Sequence, residues 1–381
     1  MIARSIHETI CEKAGKFPVL VLTGVRQCGK STLLKSSFPD YTYVSLEDPD
    51  IRTFASDDPR GFLNRYSTHT IIDEAQQVPE LFSYIQTIVD ANNECGQFIL
   101  SGSHNFLLMQ SVSQSLAGRA CILELEPLSA KELNEAGLLP DVDNFLIKGG
   151  FPRLYDKKIS PKEFFTSYTQ TYVERDIRIL RNISNSATFT RFLKLCATRA
   201  GAVLNVTSLA QDCSINVATA NSWLSILEAS YVVFRLQPYY RNYAKRLVKS
   251  PKLYFNDTGL LCHLLNIHTK DSLFNSGLRG NIFENMVIGE FIKKCNFCGE
   301  KPQIYYWRDS NQNEIDLLVE NDGGLFAYEI KSAETMNSKF YEALEKLMER
   351  ADIPSDHAAV IYDGEASFRG NKRNFIRWDE I

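Results

Sequence analysis

Short apolar runs alternate with amphipathic stretches over the first 150 residues, a pattern typical of an α/β domain. Three of these runs, Phe17–Thr23, Thr70–Glu74 and Gln97–Ser103, are built on Val, Ile or Leu and end in polar residues. Runs of this length predict strands that are buried on both faces of a parallel sheet. A helix is predicted directly after the first run, with its beginning near Thr32.

Helical periodicity replaces this pattern in the middle of the chain. The residues predict a connecting helix with a charged face, a second helix, two helices at helix-turn-helix spacing and a wing strand. In that order, the predicted elements are Phe164–Arg181, Phe189–Ala200, Thr207–Cys213, Asn216–Glu228 and Tyr231–Leu236. With Thr207 and Asn216 as N-caps, this region predicts a winged helix.

The C-terminal third returns to alternating strands and helices. The predicted elements are the strand Leu253–Phe255, the helices Leu260–Leu265 and Arg279–Phe291, the strands Ile304–Arg308, Glu314–Glu320 and Leu325–Ser332, the helix Phe340–Arg350 and the strand Ala358–Tyr362. A hairpin turn at residues 321–324 joins two of these strands. We therefore expect an α/β chain with domains at residues 1–151, 152–250 and 251–381.

Composition narrows the class of protein. Among 381 residues, 42 Lys and Arg face 46 Asp and Glu, and the net charge of −4 does not mark the whole chain as a nucleic-acid binder. No apolar run approaches the roughly 18 residues of a membrane span, and we expect no signal peptide. The nine scattered cysteines favour a reduced, cytoplasmic compartment. Cys295 and Cys298 are interpreted either as ordinary thiols or as half of a zinc site completed by His263 and His268.

A glycine-rich loop joins the first predicted strand to the first helix. The sequence G-x4-G-K-S in this setting predicts a P-loop that binds the phosphates of ATP. Lys30 would reach the β- and γ-phosphates, and the hydroxyl of Ser31 would bind Mg²⁺. The predicted nucleotide-binding residues are Gly24, Val25, Arg26, Gln27, Cys28, Gly29, Lys30, Ser31, Thr32, Asp73 and Ser103.

The second predicted strand supplies the acids that a P-loop site requires. Asp73 would hold Mg²⁺, and Glu74 would position or polarise the attacking water. On the neighbouring strand, Ser101 or Ser103 would either sense the γ-phosphate or cap the following turn.

The motifs together resemble a large prokaryotic family of AAA-type ATPases that carry a C-terminal domain of unknown function. The segments that carry the resemblance are Leu22–Gln27, Ser45–Pro49, Ile72–Glu80, Leu100–Ser103 and Leu116–Arg119. The resemblance implies a P-loop core with a parallel sheet flanked by helices. Cys28 and Ser31 depart mildly from the commoner Val and Thr of the family, and Ser31 keeps the metal-binding hydroxyl.

Two further elements are interpreted in the light of such ATPases. Arg119 is either an arginine finger, which in trans would require a homo-oligomer, or a structural partner of Glu124 or Glu126. Gly149–Arg153 is either a turn that reports the nucleotide state or a plain interdomain turn.

Nucleic-acid binding is predicted for residues 239–252 and for the C-terminal domain. The segment carries five cations without an acid, together with three tyrosines that can stack on bases. A solvated wing and linker is the alternative. The recognition helix has no Arg or Lys before Glu228, which argues against sequence-specific readout.

The C-terminal third contains an ordered set of acids and a lysine. Glu329 and Lys331 lie two apart on one strand and therefore share a face, and Asp316 lies on the adjacent strand. With Glu284 from a helix, the order resembles the core of PD-(D/E)xK nucleases. This resemblance implies a metal site of Glu284, Asp316 and Glu329, with Lys331 stabilising or activating the attacking water in phosphodiester hydrolysis.

These patterns lead to two hypotheses for the function. In the first, ATP binding and hydrolysis control a nuclease-like domain that acts on nucleic acid. In the second, a signalling ATPase carries an inactive C-terminal domain that docks a protein partner.

Overall fold

The computed structural model describes residues 2–92, 94–102, 108, 112, 114–176, 186–239, 250–309, 313–371 and 373–381. These residues form two compact units. Unit 1 contains Met1–Leu128, Ala229–Tyr231 and Lys294–Lys301, and unit 2 contains Ser129–Glu228, Val232–Lys293 and Pro302–Ile381. No helix in the described ranges combines the length and the apolar character that crossing a membrane requires.

Unit 1 is built on a five-stranded parallel sheet. Its strands are β1 (Val19–Gly24), β2 (Thr42–Ser45), β3 (Thr70–Asp73), β4 (Phe98–Ser101) and β5 (Ala120–Leu125). They lie in the order β2-β3-β4-β1-β5. All residues of β1, β3 and β4 are buried, because strands at the centre of a parallel sheet are covered on both faces. The three strands that the sequence predicted here are confirmed.

Helices cover this sheet. They are α1 (His7–Ala14), α2 (Lys30–Ser37), α3 (Pro49–Asp57), α4 (Pro59–Arg65) and α5 (Leu81–Asn92). α3 and α4 each begin with an aspartate followed by proline, and the carboxylates of Asp48 and Asp58 accept hydrogen bonds from the first free N–H groups. The core contains Val21, Ile72 and Leu100 from the strands, packed against helix residues such as Phe62 and Phe82.

Further α-helices lie between residues 130 and 351, and most of their residues belong to unit 2. They are α6 (Ala130–Glu135), α7 (Val142–Lys148), α8 (Pro152–Asp156), α9 (Pro161–Tyr168), α10 (Ser186–Ala197), α11 (Val206–Asp212), α12 (Val217–Ala229), α13 (Thr258–Leu264), α14 (Lys270–Asn275), α15 (Arg279–Phe297) and α16 (Glu342–Ala351). Short 3-10 helices lie at Ala75–Gln77 in unit 1 and at Ser338–Tyr341, Ser355–His357 and Trp378–Glu380 in unit 2.

Two details of the predicted helices are wrong. The predicted helix Phe164–Arg181 is α-helical only to Tyr168, and the segment Thr169–Asp176 is a π-helix. The N-cap of α11 is Asn205, whose side chain accepts from Ser208 N, rather than Thr207. Asn216 does cap α12 by accepting from Thr219 N.

An eight-stranded sheet forms the second layer of unit 2. The strands are β6 (Val233–Pro238), β7 (Lys252–Phe255), β8 (Ile304–Arg308), β9 (Glu314–Asn321), β10 (Gly324–Lys331), β11 (Ala358–Tyr362), β12 (Phe368–Arg369) and β13 (Asn374–Arg377). Their order is β12-β13-β11-β10-β9-β8-β6-β7. The predicted hairpin is confirmed, since Asn321 pairs with Gly324 between antiparallel β9 and β10. This sheet includes strands on both sides of residue 250, while the domain boundaries remain a prediction.

Candidate functional sites

The P-loop begins at Gly24, where the backbone of β1 lies directly against Leu125 of β5. A β-carbon on Gly24 would lie 2.1 Å from the carbonyl oxygen of Leu125, and φ is +135° at this residue. Gly29, the N-cap of α2, has φ of +97° and open space around its position. Only glycine adopts both conformations readily, so these two residues allow the backbone to curl ahead of the helix N-terminus.

Lys30 and Ser31 project from the first turn of α2. The buried ammonium group of Lys30 donates to the carbonyl oxygens of Gly24 and Val25, at 3.0 and 2.9 Å. Ser31 Oγ donates to Asp73 Oδ2 at 2.7 Å, which joins the loop to the end of β3. A cation-binding hydroxyl, a carboxylate and an ammonium group are the set that fits a nucleotide phosphate with Mg²⁺.

Three hydroxyl groups hold the carboxylate of Asp73. Ser31 and Tyr43 donate to Oδ2, Tyr43 at 2.6 Å, and Ser101 donates to Oδ1 at 2.5 Å. Tyr43 lies in β2 and Ser101 in β4, the two neighbours of β3. Burial, followed by the hydrogen bond to Asp73, raises the pKa of the Tyr43 phenol. All three donors are neutral, so Asp73 is positioned while its negative charge remains available for a cation.

Glu74 follows β3 directly and has a left-handed backbone with φ of +54°. A non-glycine residue in this region costs about 1 kcal/mol and is enriched at functional sites. Its Oε2 accepts a hydrogen bond from Gln76 Nε2.

The sequence did not single out Arg4 as part of this site. Its guanidinium donates to the carbonyl oxygens of Cys28 and Glu126, at 2.9 and 2.6 Å, and so braces the P-loop against the chain after β5. The thiol of Cys28 is buried beside the carbonyl of Leu125, and burial raises its pKa. Cys28 is therefore a packing residue of low thiol reactivity.

Arg119 lies at the amino-terminal end of the strands, and the P-loop lies at their carboxyl-terminal end. Its backbone precedes Ala120, which pairs with Val19, whereas Leu125 at the other end of β5 pairs with Gly24. Five residues of strand separate the two ends by about 17 Å. The guanidinium pairs with Asp90 of α5, so the proposed partners Glu124 and Glu126 are wrong. Arg119 cannot reach the P-loop of its own chain.

The turn at Gly149–Arg153 is held inside unit 2. Gly150 N donates to Asp257 Oδ2 at 2.7 Å, and Leu260 N donates to the other oxygen of the same carboxylate at 3.0 Å. Asp257 is buried, and burial raises its pKa. These contacts show how the turn is fastened and leave both interpretations of its role open.

Two sequence predictions fall wholly or partly outside the described residues, and a third concerns a zinc site. Ser103 lies outside the described residues, as do residues 240–249 of the basic segment. In the described part of the chain, no three His, Cys, Asp or Glu side chains are grouped to hold a metal ion, and this includes the surroundings of Cys295 and Cys298.

The predicted C-terminal residues do come together in unit 2, around a lysine that the sequence did not predict there. Lys252 of β7 is 2% exposed, and its Nζ lies 2.9 Å from Glu284 Oε1 and 2.6 Å from Glu314 Oε1. Asp316 Oδ1 is 4.0 Å away. Tyr254, two residues along β7, donates to the same oxygen of Glu284 at 2.5 Å. We call these residues, with Glu329 and Lys331, the carboxylate cluster.

Asp316, Glu329 and Lys331 form the other side of the carboxylate cluster. Lys331 Nζ lies 2.5 Å from Glu329 Oε1 and 3.9 Å from Asp316 Oδ2. Asp316 Oδ2 also accepts from Ile330 N at 2.8 Å. Glu329 Oε2 is buried and has no hydrogen-bond partner among the described residues. Burial, followed by the charge of Asp316, raises the pKa of both Glu284 and Glu329.

Whether a divalent cation fits the carboxylate cluster depends on which carboxylate oxygens are free to bind it. The orphaned oxygen of Glu329 and the carboxylate of Asp316 fit an ion such as Mg²⁺, which proteins often bind through one or two carboxylates. Oε1 of Glu284 is occupied instead by Lys252 and Tyr254, which argues against the predicted role of Glu284 as a third ligand.

Comparison with known families divides the chain into three matched segments. Residues 16–134 match the family described as AAA domain. Residues 139–271 and 279–381 match two families described as domains of unknown function, DUF8612 and DUF4143.

Two curated relatives span most of the chain. They are the uncharacterized proteins Rv2008c of Mycobacterium tuberculosis and Mb2031c of Mycobacterium bovis, each 31% identical over 358 residues, with 92% of this chain and 78% of the relative covered.

Similar solved structures are more distant. The Walker-type ATPase PABY2304 of Pyrococcus abyssi has 16% identity and a TM-score of 0.46, with 70% of this chain and 96% of that chain covered. AMPPCP-bound DnaA from Aquifex aeolicus has 15% identity and a TM-score of 0.30, with 58% and 85% covered. On the AAA match and the two relatives that span 92% of the chain, the chain belongs to the family of the two mycobacterial proteins and is an AAA-type P-loop ATPase with a C-terminal domain of unknown function.

Proposed function

We propose that the protein hydrolyses ATP with Mg²⁺ and that its nucleotide state controls a C-terminal domain that acts on nucleic acid. The observation that carries the first part is the contact of Ser31 Oγ with Asp73 Oδ2 beside the ammonium group of Lys30. This arrangement supports one site for the phosphates and the metal ion.

Each residue of the P-loop site has a separate task in this proposal. Backbone N–H groups from Gly24 to Thr32 bind the phosphates, and Lys30 exchanges its carbonyl partners for phosphate oxygens. Ser31 and Asp73 hold Mg²⁺, which supplies positive charge to the γ-phosphate. Glu74 accepts a hydrogen bond from the attacking water and orients it.

Hydrolysis and binding are separable by mutation. Glu74→Gln is expected to lower the rate of ATP hydrolysis on the order of 100-fold while a fluorescent ATP analogue still binds. Glu80→Gln, which changes an exposed acid of the same segment, is the control. Full activity in Glu74→Gln would refute the role of Glu74.

Arg119 enters this proposal only through a neighbouring chain. Because it cannot reach its own P-loop, a finger role requires a homo-oligomer. Arg119→Ala and Asp90→Ala distinguish a finger from a surface ion pair. Loss of ATP hydrolysis in the first variant alone supports the finger, and equal behaviour of both supports the ion pair.

A second activity is supported by the carboxylate cluster. Asp316, Glu329 and Lys331 converge on adjacent strands, as the nuclease-like hypothesis requires. We propose that Asp316 and Glu329 bind a divalent cation, which supplies Lewis-acid charge for phosphodiester hydrolysis. In this role, Lys331 holds Glu329 Oε1 and faces Asp316, and thereby orients both acids.

The region before the cluster supports nucleic-acid binding. Helices α10, α11 and α12, the bridges of Ala200 and Val203 to β7, and the antiparallel pair β6 and β7 follow one another in the order of a winged helix. We propose that this module, with residues 239–251, contacts the nucleic acid. Lys252, the last cation of the predicted segment, is buried and paired with Glu284 and Glu314, so its predicted part in this surface is wrong. In the alternative, the same surfaces dock a protein partner and the cluster does not cleave.

One set of assays separates these alternatives. ATP hydrolysis measured with and without DNA or RNA should rise with the nucleic acid, and cleavage with Mg²⁺ or Mn²⁺ should be lost in Asp316→Ala. A chain that cuts neither DNA nor RNA, whose ATPase rate ignores both, and which co-purifies with a protein would support docking instead.

A further inference from the structure

Lys252 occupies the position in the carboxylate cluster where a second cation would bind. Its ammonium group is within 3 Å of oxygens of both Glu284 and Glu314, and 4.0 Å from Asp316. These carboxylates come from α15 and β9, and the lysine comes from β7. The contacts therefore depend on the fold of unit 2.

This ammonium group is difficult to displace. A buried lysine that loses its carboxylate partners keeps the cost of desolvation without the compensating attraction. Tyr254 further secures Glu284 by donating to the oxygen that Lys252 contacts. To bind Glu284 Oε1, a metal ion would have to displace both the ammonium group of Lys252 and the hydroxyl of Tyr254.

A separate observation indicates that a cation fits elsewhere in the cluster. Glu329 is 7% exposed, and its Oε2 has no hydrogen-bond partner among the described residues, although Oε1 is held by Lys331. Asp316 faces the same lysine at 3.9 Å. An unpaired carboxylate oxygen in a buried position is costly unless a proton or a cation satisfies it.

We propose that Lys252 is a resident cation that limits the carboxylate cluster to one divalent ion, held by Asp316 and Glu329. The lysine excludes a second ion from the space between Glu284 and Glu314. This inference rests on the proposed metal-dependent role of the cluster and adds its metal stoichiometry. Glu284 thereby becomes a partner of Lys252 rather than a metal ligand.

The test is a titration with Mn²⁺ alone, followed by electron paramagnetic resonance. It uses the full chain without nucleotide and with Asp73→Asn. This substitution removes the carboxylate proposed to bind metal at the P-loop site, so that only the carboxylate cluster is titrated. This parent is expected to bind one Mn²⁺. Lys252→Met is expected to bind two, since the space between Glu284 and Glu314 is then open to an ion. A single Mn²⁺ in Lys252→Met, whatever its affinity, would overturn the proposal.

Two lysine variants serve as controls. Lys252→Arg keeps the cation and should bind one ion, as the parent does. Lys293→Met removes another buried ammonium group of unit 2, which pairs with Glu290 at 2.7 Å. It should leave Mn²⁺ binding unchanged. A second ion in Lys293→Met would show a general effect of charge and would contradict the specific role of Lys252.

A second pair of variants gives the answer if Lys252→Met does not fold. Glu284→Gln should weaken Mn²⁺ binding by less than about tenfold, because Glu284 is not a ligand, whereas Asp316→Asn should abolish it. Equal losses in the two variants would overturn the proposal.

The failure of this inference and that of the cleavage proposal give different results. A parent that binds one Mn²⁺ but cuts no nucleic acid, with a second ion in Lys252→Met, refutes cleavage and supports the inference. Cleavage with no gain of metal in Lys252→Met supports the proposed function and refutes the inference.

Discussion

The P-loop site and the carboxylate cluster hold their acids in opposite ways. Asp73 in unit 1 is held by three hydroxyl groups, which are neutral. Glu284 and Glu314 in unit 2 are held instead by the ammonium group of Lys252. Neutral donors fix a carboxylate and leave its charge for an incoming cation, whereas a lysine fixes it by taking that charge. Similar residues can therefore form either an open or an occupied cation site.

The largest effect is expected from Lys30→Ala. Loss of the ammonium group should lower the rate of ATP hydrolysis on the order of 1,000-fold, about 4 kcal/mol of transition-state stabilisation. Mn²⁺ binding by the carboxylate cluster should remain within about twofold, as each site has its own lysines. Lys16→Ala, at an exposed lysine of unit 1, is the control. A matching loss of Mn²⁺ binding would break the comparison, because the two sites would then be linked.

Gly24→Ala is expected to destabilise unit 1 by about 2–4 kcal/mol. The new methyl group would lie 2.1 Å from Leu125 O, at a residue with φ of +135°. The measurement is the free energy of unfolding in urea. Gly29→Ala has open space and should cost only about 1 kcal/mol from its positive φ. Equal losses in the two variants would mean that backbone conformation, and not the approach of β5, requires Gly24.

Tyr43→Phe tests whether neutral donors position Asp73. Removing one hydroxyl should raise the Mg²⁺ concentration for half-maximal ATPase activity about three- to tenfold, roughly 1 kcal/mol, with little change in kcat. Tyr41→Phe, whose hydroxyl donates to Gly96 O, is the matched control. A lower Mg²⁺ requirement in Tyr43→Phe would show that the phenol competes with the ion.

The smallest expected effect is on the pH dependence of the melting temperature of unit 2. Burial, followed by the charge of His268, lowers the pKa of His263 to about 4. The folded state therefore favours the neutral ring of His263. The contribution of this ring to the stability of unit 2 is fully present above pH 6.5 and is lost as the pH falls through about 4. The melting temperature of unit 2 should fall over this range, and less steeply in His263→Gln. His7→Gln in unit 1 should follow the wild type. Identical slopes in all three proteins would exclude His263 as the cause.

The sequence predicted the P-loop well because its parts are contiguous. Gly24 to Ser31 form one turn between a strand and a helix, so the spacing alone specifies their relation. Glu329 and Lys331 were similarly predictable, since residues two apart share a face of a strand.

Other contacts could not be predicted because they depend on strand order or on long separations. Tyr43 and Ser101 meet Asp73 only because β2 and β4 flank β3. Lys252 meets Glu314 across 62 positions of sequence. A charged residue at the start of the buried strand β7 was the one available signal for it. The distance of Arg119 from the P-loop also follows from register rather than from composition.

The discontinuity of unit 1 has a consequence for how the protein is made. Tyr231 contacts Thr23 at 3.2 Å, and the carbonyl of Phe297 accepts from Thr9 Oγ1 at 2.6 Å. A ribosome must therefore synthesise about four-fifths of the chain before unit 1 has all its residues. A fragment that ends at residue 151 would expose the surfaces that these late segments cover. We expect such a fragment to aggregate more readily than the full chain, and nascent chains of that length to need protection by chaperones.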